Sequence, residues 1–179
     1  SQNTVTNILP IITTTGNLAA GAIAGTNVED ASDDGIITGN LIRTVGNPGA
    51  GAPALGTLGL GVRVIVQGGT RIAKHIRVTD NHIEAIALHG IAFYWGVGGG
   101  TSEGSIVSGN FIKDTGLTPK VSTAGADSFE IRGNGIYILQ VSGVTVADNC
   151  VLNSCTNTTN GSILTAGIAV VPDLDTPLD

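Results

Sequence analysis

The chain has no methionine, six aromatic residues and little charge, with eight Lys and Arg against fourteen Asp and Glu in 179 residues. With that acidic balance and no basic patch, a nucleic-acid partner is not expected. No stretch approaches the ~20 uninterrupted apolar residues of a membrane helix, so membrane insertion is not expected either. No basic region followed by an apolar run opens the chain, as a signal peptide would. The pattern begins mid-phrase, as in a segment of a longer protein. The two cysteines, Cys150 and Cys155, are too few for a metal site of their own. They read as free small residues, with a short-loop disulfide as the alternative. The residues indicate no cofactor, and calcium is not indicated. There is no convincing helix and no domain boundary, so residues 1–179 read as one domain.

What is abundant is glycine, at 27 residues, with many Thr, Asn, Val and Ile, a composition that favours strands and turns. These residues recur in order. Val78-Thr79-Asp80-Asn81-His82-Ile83 is one phrase, and Ile37–Ile42, Val107–Ile112 and Val146–Val151 repeat it. Each carries Gly or Asp followed by Asn, with aliphatic residues three before and two after the Asn. Two short strands joined by a tight corner read this way, with Asn able to take the left-handed conformation and Gly or Asp suited to the same turn. A second phrase, Gly-aliphatic-x-apolar, alternates with the first at Gly61, Gly90, Gly135 and Gly167, and Gly21-Ala22-Ile23-Ala24 is a degenerate copy. The segments Gly61–Asn81 and Gly90–Asn110 have equal length, whereas the Asn-to-Gly segments vary. That is a repeat with one constant side and one side that accepts insertions.

Short strands recurring in this manner bury their apolar sides by stacking each on its counterpart one turn later, in parallel. The fold expected is all-β, a parallel β-helix of about five rungs with long loop insertions on one side. Its inward columns are Ile37/Val78/Val107/Val146, Ile42/Ile83/Ile112/Val151, Val62/Ile91/Ile136/Ile168 and Val64/Phe93/Ile138/Val170. Asn40, Asn81, Asn110 and Asn149 form an internal amide ladder. Strands are expected at 61–67, 76–78, 136–139 and 144–146, and a loop at 94–104.

These phrases resemble the right-handed parallel β-helices of the pectin-lyase-like superfamily, over roughly residues 21–171. The resemblance implies a polysaccharide as partner, an extracellular or virion-surface setting and, by likeness to phage tailspikes, a homotrimer. It supplies no catalytic motif, because the Asp33-Asp34 pair lacks the companion segments of the polygalacturonases. Fold alone does not license a reaction.

Candidate site residues come from the register. The long loops after Asn40 and Asn110 would wall a groove floored by the short turn of the Asn81 rung, which carries His82, Glu84 and His89. Arg43, Glu84 and Lys113 share one outward column; Arg63, Ala92 and Tyr137 share another, and Tyr94 follows Phe93. A glycan site uses such a mixture of proton-transfer groups, cations and aromatic faces. Glu84, His89 and Tyr137 are the candidates for catalysis. Arg43, Arg63, His82, Lys113, Tyr94, Asp127 and Glu130 are the candidates for substrate contact. Asp33, Asp34, Lys74, His75, Arg77 and Glu103 align as a second cluster, with Lys74 and Glu103 as a surface pair. Ile65, Tyr94, Leu139 and Val171 make an outward apolar strip, the mark of an interface or of a covering loop. Three functions follow: cleavage of an acidic surface glycan by lyase or hydrolase chemistry, a non-catalytic structural or receptor-binding rod, or epimerisation of a sugar without chain cleavage.

Overall fold

The structure, a computed structural model, describes residues 3–8, 23–29, 32–46, 59–66, 73–95, 100–117, 133–154 and 166–171. Its strands fall into three sheets in strict rotation. The first sheet stacks β1 (Thr4–Ile8), β4 (Leu41–Val45), β7 (His82–Ile86), β10 (Phe111–Thr115) and β13 (Cys150–Ser154). The second stacks β2 (Ile23–Glu29), β5 (Gly59–Val66), β8 (His89–Trp95), β11 (Ile136–Leu139) and β14 (Ile168–Val171). The third stacks β3 (Ile36–Thr38), β6 (Arg77–Thr79), β9 (Gly100–Ser108) and β12 (Val141–Ala147). Every pairing is parallel and joins a strand to its counterpart one turn along the chain. This is an all-β, parallel β-helix of five rungs, with three strands in each of the first four and β13 and β14 described in the last.

All four expected inward columns are in register. Ile42, Val62, Ile83, Ile91, Ile112 and Ile136 are among the fully buried residues of one core that the three sheets enclose. Full burial of such a side chain contributes about 1.5–3 kcal/mol, which is how strands of three to nine residues hold together. The columns end in the open at the last rung, where Ile168 and Val170 are 45% and 68% exposed.

The corner between the third and first sheets works differently from expectation. Gly39, Asp80, Gly109 and Asp148 take the left-handed conformation, with φ of 65°, 56°, 65° and 53°. The Asn that follows each is free to turn its side chain inward. Asn40, Asn81 and Asn110 are buried, and each donates from Nδ2 to the Oδ1 of the next Asn at 2.9, 3.0 and 2.9 Å. Their backbone N–H groups donate to the same oxygens at 3.0, 3.1 and 3.1 Å. The ladder has a fifth member: Asn3 donates to Asn40 at 3.1 Å.

A second left-handed column lies within the first sheet. Asn7, Thr44, Ala85, Asp114 and Asn153 have φ between 50° and 57°, one in each strand. This residue breaks the alternation, so the side chain after it points inward again. Val45, Ile86 and Thr115 are therefore buried, a fifth inward column that period-two reading misses.

Other expectations are corrected. The degenerate Gly phrase is Gly25-Thr26-Asn27-Val28 rather than the one at Gly21, since Thr26 pairs with Val62 and Val28 with Val64. Residues 94–104 are not one loop: β8 runs to Trp95 and β9 starts at Gly100. Gly61, Gly90 and Gly135 owe their place to close packing. A Cβ on Gly90 would meet the Gly135 carbonyl oxygen and Ile112 Cγ2, each at 2.6 Å.

The outer face of the second sheet is covered. Leu60, Ile65, Leu88, Ala92, Tyr137, Leu139, Ala169 and Val171 form a second buried apolar cluster. Ile65, Leu139 and Val171 of the anticipated strip are thus shielded within the single chain, and the strip gives no ground for a trimer. Of Tyr94 the backbone is described, paired with Ile65 and Leu139.

Candidate functional site

The outer face of the first sheet collects the chemistry. Strand alternation turns two residues of each strand outward, and stacking sets them in two parallel columns. One runs Thr4, Leu41, His82, Phe111, Cys150, and the other runs Thr6, Arg43, Glu84, Lys113, Leu152. Neighbours within a column are one rung apart, roughly 4.8 Å.

Glu84 is the hub. Arg43 donates to its Oε1 from Nε, and its Nη2 forms an ion pair with the same oxygen. His82, two residues earlier on the same strand, lies with Nε2 at 2.8 Å from Oε2. Glu84 is 21% exposed, well below its two partners. The hydrogen bond from His82 and then that from Arg43 hold its carboxyl below the usual value of 4.5, against the opposing pull of burial. An ionised Glu84 accepts, so the His82 Nε2 carries a proton, and in the neutral imidazole Nδ1 then presents a lone pair. The His82 ring meets the edge of Phe111 at 4.9 Å and 62°. On the next rung Lys113 Nζ lies 3.2 Å from Asp114 Oδ2, and Asp114 Oδ1 accepts from Asn153 Nδ2 at 3.1 Å.

Arg43, His82, Glu84 and Lys113 are therefore brought together as expected. His89 and Tyr137 are not. Both are fully buried on the covered side of the second sheet, their rings stacked at 4.5 Å and 2°. His89 Nδ1 accepts from the Asn134 N–H at 3.0 Å. The reason is the two-residue corner Ala87-Leu88, itself buried, which carries the chain from the first sheet straight onto the second. His89 hence contributes no floor to a groove around Glu84. Arg63 also belongs to the second sheet, where Nη1 donates to Asn27 Oδ1 at 3.2 Å. Asp127, Glu130 and most of the two long loops lie outside the described residues.

Phe111 was missed as a candidate. It fills the variable position after Asn110, the place His82 holds after Asn81, so aligning the repeats finds it.

The second anticipated cluster also forms, on the corner leading into the third sheet. His75 Nδ1 lies 3.1 Å from Asp34 Oδ1, and Lys74 Nζ lies 3.7 Å from Glu103 Oε2. Asp33 Oδ1 accepts from the Lys74 N–H at 3.2 Å. All are well exposed, and such pairs contribute about 0–1 kcal/mol each. Among the described residues no three His, Cys, Asp or Glu converge as metal ligands.

The chain matches no protein-family model, no curated protein and no solved structure. Its fold class rests on its own strand pairing, and its function must be argued from the site.

Proposed function

We propose that the chain is a polysaccharide-binding and -degrading β-helix, of the kind found among the pectin-lyase-like proteins and phage tailspikes, and that it acts as a lyase on an acidic surface glycan. The observation that carries this reading is the Arg43–Glu84–His82 cluster, half-exposed on a rigid sheet face beside Lys113 and Phe111. Arg43 and Lys113, one rung to either side of His82, would each offset the carboxylate of a uronic acid and so acidify its adjacent ring carbon. His82, oriented by Glu84, takes that proton at Nδ1. The electrons of the broken C–H bond form a carbon–carbon double bond, the glycosidic C–O bond on the next carbon breaks, and the leaving oxygen takes a proton from solvent water. Glu84, held ionised, orients the base and does not donate the proton. An extracellular or virion-surface setting, with assembly as a homotrimer, goes with this reading.

A second reading, a non-catalytic receptor-binding or structural rod, is favoured by the burial of Tyr137, which removes its phenol as an acid for the leaving group. One experiment separates the two. Acidic polysaccharides are incubated with the chain and with His82→Ala, and retention and new unsaturated chain ends are both measured. Cleavage by the native chain that the substitution abolishes supports the lyase. Retention without new ends supports the rod, and undiminished cleavage by His82→Ala rejects the assigned base.

A further inference from the structure

The outward column Thr6, Arg43, Glu84, Lys113, Leu152 carries a charge pattern: neutral, positive, negative, positive, neutral. Arg43 and Lys113 flank Glu84 one rung to either side, so their attachment points are two rungs, about 9.6 Å, apart. A pyranose linked through opposite ring positions advances its chain by about one rung. A polymer laid across these strands therefore offers one sugar to each member of the column.

From this geometry we infer that the site, read as an acidic-glycan site as above, selects a linear polysaccharide in which uronate units alternate with acetamido-sugar units. The two cations face consecutive uronates. Between them the Glu84 carboxylate faces the intervening sugar, where an amide N–H or hydroxyl donates to it and a third carboxylate would be repelled. Each partner has capacity for this. The guanidinium of Arg43 has five N–H donors, of which Glu84 takes that on Nε, with Nη2 ion-paired to the same oxygen. Lys113 has three donors, and Asp114 takes one. The neighbouring column, with Leu41, His82 and Phe111, supplies apolar and aromatic surface for the sugar rings.

A homopolymer of uronates places a carboxylate opposite Glu84, and a neutral polymer leaves both cations unanswered. Both are discriminated against by the same three residues.

The test is binding of three polymers of matched length at low ionic strength: alternating uronate–acetamido-sugar, all-uronate, and neutral. The native chain is compared with Glu84→Gln, circular dichroism confirming that the variant is folded. The alternating polymer is expected to bind the native chain about tenfold more tightly than the all-uronate polymer, and Glu84→Gln to narrow that gap to about threefold or less. Equal or tighter binding of the all-uronate polymer would overturn the alternation while leaving the acidic-glycan reading in place. A gap that Glu84→Gln leaves unchanged also overturns it, since the discrimination is then not at Glu84. Retention of neither acidic polymer removes the acidic-glycan reading together with this one.

Discussion

Asn110 shows how much one side chain holds in a stack of this type. Its Oδ1 accepts two hydrogen bonds from Asn81, and its Nδ2 donates to Asn149 and to the carbonyls of Val78 and Ser108. Truncation to alanine strands buried donors and acceptors on three rungs at once. Asn110→Ala should cost about 3 kcal/mol, read as a fall in the denaturant midpoint. Thr44 illustrates the opposite case. It is a β-branched residue at φ 54°, where its counterparts Asn7, Asp114 and Asn153 are types that tolerate that region. Thr44→Asn should therefore stabilise the chain by roughly 1 kcal/mol, measured by thermal or denaturant unfolding.

The first-sheet strands are built so that one face joins the core and the other carries charge. On β7 that outward face is His82 and Glu84, and the ion pair to Arg43 ties β7 to β4. Because the Glu84 carboxyl titrates lower when folded than its usual 4.5, its contribution to stability is fully present above that value. It is lost as pH falls through the lower folded value. Urea unfolding of the native chain should thus show a drop in midpoint on acidification below about 4.5 that is smaller in Glu84→Gln. An identical pH dependence in both proteins would show that the pair contributes nothing to holding these two strands. The same strands show where sequence reading stopped short. Alternation located Ile42, Ile83 and Ile112 as inward, but the left-handed residue at Thr44, Ala85 and Asp114 resets the parity. No composition signal marks that reset, since Thr, Ala and Asp share no feature. It becomes visible when the register of neighbouring strands is seen.

Taken whole, the described residues form a column of rungs in which each rung pairs with the rungs above and below it. Stability then sums rung and interface contributions, and the outer rungs hold fewer of the latter. β7 and β10 pack inward residues that are fully buried, whereas the inward Val5, Ile8 and Val151 on β1 and β13 are half-buried and Val170 on β14 is exposed. Hydrogen exchange should be slowest for the amides of β7, β8 and β10 and faster by at least about tenfold on β1, β13 and β14, reflecting local opening at the ends. Uniform protection along the column would indicate instead that the rungs open as one unit.

Parallel stacking of short strands, the Asn ladder and four of the inward columns were legible in the order of residues. A repeat stacked in parallel places every recurring residue above its counterpart, so linear spacing already encodes neighbours in space. For that reason Arg43, Glu84 and Lys113 were recognisable as one column, and Phe111 was available to the same alignment. What lay beyond the linear order depended on what covers each face. His89 and Tyr137 sit at proper repeat positions, yet a two-residue corner and a second apolar cluster bury them. Periodicity assigns a side chain to one side of its sheet, but whether that side meets solvent is decided by segments far away in sequence, and only the assembled tertiary structure contains that information.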